Sequence, residues 1–196
     1  LPLLESVKNG GKIVRPWMGV DVVSVTMKDA HALGLSRPYG VLVKEVYPQS
    51  PAEKAGVKVG DFLSTLNGRK IEDDASLDYQ VAVFPLGKKA DLTIIREGEE
   101  LTLPLLLTEP MDAKDPTPLL IKDHNPLYGV SVRTLSPALA LELGMSPMKQ
   151  GVVISDMEEN APAAQLGIKP GDVLESVNKQ PVKTKEDAVH FLQNKD

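Results

Sequence analysis

Arg15-Pro16-Trp17-Met18-Gly19-Val20-Asp21-Val22-Val23-Ser24-Val25 reads as a basic residue, a hydrophobic–glycine–hydrophobic turn and an alternating strand. Glycine permits the tight φ/ψ values and close backbone approach that a Cβ would block. The N–H groups of a turn around Gly19 can therefore converge on a carboxylate. In the strand that follows, Val20 and Val22 share one face, and Val23 and Val25 the other. Its edge can pair with an extended peptide. A turn that grips a chain end, joined to a strand that pairs with the residues before it, makes a peptide receptor. The bland reading is a strand entered through a glycine turn, and what favours the receptor is that the pattern occurs twice.

Upstream, Leu3, Leu4 and Val7 share a helical face and Asn9-Gly10-Gly11 is a helix stop, so residues 1–14 read as the tail of a preceding domain. Downstream, a short helix is expected over Lys28–Leu33 and a strand over Gly40–Val46. Ser50 starts a helix with Pro51 at its first position and Gly56 as its stop. Phe62–Leu66 is a strand closed by the Asn67-Gly68 turn, and Glu72–Phe84 is an amphipathic helix with Leu77, Val81 and Phe84 on one side. Two strands, Leu92–Arg96 and Leu101–Leu107, follow across Glu97-Gly98-Glu99. From Thr108 to Pro126, four prolines among Asp, Lys and Thr describe a stiffened linker.

Then the pattern restarts. Leu127-Tyr128-Gly129-Val130 repeats Trp17-Met18-Gly19-Val20, and Gly151-Val152-Val153-Ile154 repeats Gly40-Val41-Leu42-Val43. Without a gap, Pro51-Ala52 recurs as Pro162-Ala163, Gly56 as Gly167, Gly60-Asp61 as Gly171-Asp172 and Asn67 as Asn178. An ungapped register with matching turn residues is the mark of a duplicated module.

Composition bounds the remaining classes. With 196 residues, 42% hydrophobic and 25% charged, the chain has room for two modules with modest cores. Only 4% of residues are aromatic, so those cores are built from Val, Leu, Ile and Ala. The net charge of −5 supplies no basic stripe for nucleic acid, and no apolar run reaches the length of a membrane span. Cysteine is absent, which excludes disulfides, thiol nucleophiles and Cys-ligated zinc. The three histidines, His31, His124 and His190, fall on expected surface helices or in the linker, and no Gly-x-Ser-x-Gly elbow accompanies them. Gly60-Asp61 reads as turn chemistry and Glu72-Asp73-Asp74 as a helix first turn, so no catalytic residue, metal or cofactor is assigned.

The succession Φ-Gly-Φ, Gly-Val-Φ-Φ, Ser/Ala-Pro-Ala-x-x-x-Gly-Φ-Lys-x-Gly-Asp-Φ-Leu and an Asn-containing turn before a helix resembles the PDZ domain, in the variant of the HtrA/Deg serine proteases. The likeness covers residues 15–107 and 125–196, and residues 1–14 look like that family's junction with the protease domain. The resemblance implies an α+β, mainly β fold: two partly open β-barrel or sandwich modules with two short helices each. The organisation it implies is 1–14 as protease tail and linker, 15–108 as the first PDZ domain, 109–124 as linker and 125–196 as the second. It further implies that Trp17, Met18, Gly19 and Val20 form the carboxylate-binding loop beside Arg15, and that Val20, Asp21 and Val22 pair with the peptide. Val81 would face the last side chain, with Leu77 and Phe84 nearby. In the second copy Leu127, Tyr128, Gly129 and Val130 match the loop, Val132 the strand and Leu192 the helix position. There Asn125-Pro126 stands in place of Arg15-Pro16 and the nearest basic residue is Lys122, so weaker binding is expected.

The implied partners are C-terminal or extended segments of unfolded proteins and an attached serine protease domain, in the bacterial periplasm. A tandem scaffold without a protease is the competing reading, with oligomer contacts through the second copy a third. At the repeat spacing Asp196 corresponds to Pro85, leaving no counterpart of Leu92–Leu107. A C-terminally truncated second module, more mobile than the first, is expected.

Overall fold

The opening stretch forms β1 (Val20–Ser24) in the computed structural model, which describes residues 15–193. The expected helix end at 1–14 lies outside the described residues. β1 pairs antiparallel with β2 (Val41–Val46), and the register slips by one residue between Asp21 and Val22. The two are linked through α1 (Met27–Ala32), where Thr26 and Asp29 form a reciprocal capping box. α2 (Pro51–Ala55) follows β2. The Ser50 hydroxyl accepts from the Glu53 N–H at its start, and Gly56 closes it at φ 91°, a left-handed value that suits glycine.

β3 (Phe62–Leu66) and the short β4 (Arg69–Lys70) enclose the Asn67-Gly68 turn. α3 (Asp74–Ala82) begins two residues later than expected, because the Asp73 carboxylate caps it by accepting from the Ser76 N–H. β5 (Lys89–Arg96) and β6 (Glu99–Leu106) form a long hairpin in which Pro104 stands opposite Asp91. The sheet runs β1-β2-β3-β5-β6, with β4 on β3, and stays open. Its core is aliphatic, as the scarcity of aromatics requires: Val41, Leu63, Ile71, Leu77, Leu92, Ile94 and Leu105 are fully buried or nearly so.

One polar group is sealed into this unit. Asp61 is buried, and Arg96 grips both its carboxylate oxygens at 2.7 Å while donating to the Gly56 carbonyl at 2.7 Å. The Asp61 carboxylate also accepts from the Lys58 N–H, closing the Gly-Asp turn expected at this point of the chain.

The chain divides into two compact units between Pro110 and Met111. The second contains β7 (Leu119–Leu120), β8 (Val130–Thr134), α4 (Pro137–Glu142), β9 (Val152–Met157), α5 (Pro162–Gln165), β10 (Val173–Leu174), β11 (Ser176–Val177), β12 (Gln180–Pro181) and α6 (Lys185–Gln193). Its four-stranded sheet runs β10-β9-β8-β7, beside a two-stranded β11-β12 ribbon.

The repeat seen in the residues extends to the hydrogen bonds. Val25 N–H to Gly40 recurs as Leu135 N–H to Gly151, and Val43 N–H to Asp61 as Ile154 N–H to Asp172. The slip in β1 recurs in β8, between Ser131 and Val132. Where Ser50 caps α2, Ala161 precedes α5 and offers no side-chain cap, and α5 is correspondingly shorter.

Residues 109–124, expected as a linker, differ from that reading. Leu119–Leu120 forms β7 against β8, and Ile121 is buried in the core of the second unit.

Candidate functional site

The turn before β1 is held from behind. The Met18 carbonyl accepts from the Ala52 N–H and the Gly19 carbonyl from the Tyr47 N–H, each at 2.9 Å. Trp17 donates its N–H to the Thr108 carbonyl at 2.8 Å and packs edge-on against Tyr47 with ring centroids 5.5 Å apart. Burial of Tyr47 pushes its phenol above the ordinary range. Trp17, which the resemblance implies is part of the carboxylate-binding loop, packs its ring behind the turn and is 8% exposed. Gly19 sits at φ 83°, and among the described residues no acceptor takes its N–H.

That glycine is tightly required. A Cβ built on Gly19 would collide with the side chain of Ser50, itself fully buried as the cap of α2. Gly19→Ala therefore combines left-handed strain with a clash against a packed element. Gly68→Ala, at φ 73° with open space around it, carries the strain alone. The alanine at 19 should cost at least about 1 kcal/mol more than that at 68 in urea unfolding. Equal losses would show that Ser50 gives way freely.

β1 borders this turn at the sheet edge, with β2 as its partner in the sheet. α3 lies alongside: the Ser24 hydroxyl donates to the Asp74 carboxylate at 2.7 Å and accepts from the Asp74 N–H at 3.0 Å. The Ser24 hydroxyl, with the Ala75 N–H second, holds the Asp74 carboxyl below its ordinary range, and the two Ser24–Asp74 bonds pin the start of the helix to the end of the strand. Met18, Leu77 and Val81 share one buried cluster, with half-buried Val20, Val22 and Phe84 packed against it. The structure thus gathers these residues into one apolar cluster that is continuous with the module's own core.

Three of these side chains have surroundings of their own. Val81 is only 9% exposed because the helix stripe packs into the core, so its replacement would test packing as much as binding. Asp21 turns to Lys44 at 2.9 Å, an exposed pair worth at most about 1 kcal/mol. Arg15 is exposed beside the turn.

The second copy departs further. Val130 and Val132, the counterparts of half-buried Val20 and Val22, are both fully buried. Leu127 is buried, Leu192 half-buried, and Tyr128 stands exposed with His124 edge-on at 5.7 Å. β7 covers this edge. Residue reasoning missed the groups that hold it: buried Lys185 donates to the Asp115 carboxylate and the Thr117 carbonyl at 2.7 Å each. These contacts hold the Asp115 carboxyl far below its ordinary range, Lys185 first and Thr117 second. A lysine at a helix start reads as a solvated face, and nothing local in the sequence signals otherwise.

Models of the PDZ domain match residues 16–107 and residues 153–196. The chain is 35% identical over 193 residues to the "Probable periplasmic serine endoprotease DegP-like" of Rhizobium meliloti, covering 98% of this chain and 38% of that protein. It is 32% identical over 185 residues to the "Periplasmic serine endoprotease DegP" of Salmonella typhimurium, covering 94% of this chain and 36% of that one. The chain thus spans less than half the length of these curated relatives. A solved structure of a variant of the HtrA-type protease AlgW with decapeptide matches at a TM-score of 0.52 and 28% identity, over 60% of this chain and 35% of that one. The chain belongs to the PDZ domain family, as two PDZ domains homologous to those of the DegP/HtrA serine endoproteases.

Proposed function

We propose that the first module binds apolar C-terminal or extended segments of unfolded proteins by adding them as a strand to β1. The observation that supports this reading is one arrangement: an edge strand, a glycine turn with an N–H that no described residue engages, and a helix pinned alongside. The turn N–H groups would hold the terminal carboxylate, with the exposed Arg15 adding positive charge beside it. Val20, Val22 and Phe84, half-buried and backed by buried Leu77 and Val81, would supply an apolar surface for the last side chains. The decapeptide that accompanies the AlgW variant in its solved structure supports a peptide as ligand. In the parent protein these modules would present substrates to an attached serine endoprotease in the periplasm, a reading supported by the names of the DegP relatives.

An apolar peptide with a free C-terminus should bind the first module with an affinity on the order of micromolar, about −8 kcal/mol. Amidating its terminus should remove most of that affinity, as isothermal titration of the pair would show. Equal binding of the acid and the amide would overturn the assignment of the turn.

A further inference from the structure

The second module holds a strand where the first has an open edge. β7 runs antiparallel to β8, with Leu119 opposite Val132 and Leu120 opposite Ser131. Its C-terminal end therefore lies at the Gly129 turn, the direction a C-terminal peptide would take on β1. There the Ile121 N–H donates to the Val130 carbonyl, and the Gly129 N–H donates to the Ile121 carbonyl, each at 2.9 Å. Gly129 is the counterpart of Gly19.

The other wall of the groove closes on the same segment. Lys185, at the start of α6, grips Asp115 and the Thr117 carbonyl, and Arg133 of β8 donates to the Pro116 carbonyl at 2.9 Å. At the far end of α6, Gln193 donates to the Asp123 carboxylate at 2.8 Å. Ile121 and Leu119 share an apolar cluster with Val130, Val132, Val189 and Leu192, and Leu192 is the register counterpart of Val81. Side chain, main chain and direction all match what a bound peptide would supply.

We propose that residues 117–121 are a built-in peptide ligand of the second module, seated between β8 and α6 with the Ile121 carbonyl standing where a terminal carboxylate would. This rests on the reading of the corresponding groove in the first module as a peptide site. The second module then rejects free peptides because its site is filled, with the altered Asn125-Pro126 a lesser cause. A tethered segment acts at an effective concentration on the order of millimolar, so a competitor of micromolar intrinsic affinity would bind about a thousandfold more weakly. An incoming carboxylate brings a charge that the internal carbonyl lacks, which gives a real C-terminus its means of displacement.

The test uses the whole chain and a synthetic peptide, Asp-Pro-Thr-Pro-Leu-Leu-Ile with a free carboxylate, followed through individual backbone amide signals. In the unmodified chain, the Gly129, Val130 and Val132 signals should stay still at peptide concentrations up to about a hundred times those that saturate the variant. In Leu119→Ser/Ile121→Ser, the same signals should respond with an apparent affinity at least about a hundredfold tighter. If that variant unfolds the second module, the peptide should restore its dispersed signals and its thermal transition, since a ligand of the native form stabilises it. Equal response in both chains, or a variant that the peptide neither binds nor refolds, would overturn the proposal. The Gly19 and Val20 signals in the same titration report on the first module. Silence there, with response in the second, would strike the peptide reading of β1 and leave the built-in ligand standing.

Discussion

Arg96→Met lowers the unfolding free energy of the first module by about 3–5 kcal/mol, the loss expected when one partner of a buried ion pair is removed. The carboxylate of Asp61 is 1% exposed, so deleting the guanidinium leaves a charge with no water to solvate it. The Lys58 N–H remains as a donor, and one backbone bond does not offset that desolvation. The Gly56 carbonyl, which follows α2, loses its donor as well. Urea unfolding with probes in each module measures the change, which should leave the second module's transition in place. Arg96→Met/Asp61→Leu should recover most of the loss, because a matched apolar pair replaces the charges. A single-variant loss under about 1 kcal/mol would show that water reaches Asp61 once the arginine is gone.

Leu63→Ala is expected to cost about 2–5 kcal/mol by the same measurement. Leu63 is fully buried in β3, which pairs with both β2 and β5, and its side chain belongs to the module's aliphatic cluster. Val59→Ala, at a position 66% exposed, is the control and should change stability by less than about 0.5 kcal/mol. Comparable losses for the two would mean that β3 does not form the middle of the core.

Local chemistry makes much of this fold legible. Ser50, Pro51 and Gly56 announce α2 because cap, first-turn proline and left-handed stop each have one physical use, and the structure employs all three. Phe62–Leu66 is bounded by glycine turns at both ends. Periodicity places Leu77, Val81 and Phe84 on one helix face, and the family resemblance implies their meeting with Val20 and Val22, which share one apolar cluster with them.

What stays hidden depends on long-range pairing. Asp61 and Arg96 are 35 residues apart, and locally they read as a turn acid and a strand-end base. Leu119-Leu120-Ile121 is three apolar residues in a proline-rich run, too short to show a period of two, and only β8 turns it into a strand. Lys185 meets Asp115 across 70 residues, and its burial follows from that pairing.

Pro104 gives the first module a handedness of association. It lies within β6, the outer strand at the border opposite β1, and has no N–H to present to a neighbour. A continuous ladder of bonds cannot be laid along that border, which makes it a poor template for edge-to-edge pairing. The two borders of the sheet are therefore unlike: β6 is interrupted at Pro104, whereas β1 carries no proline.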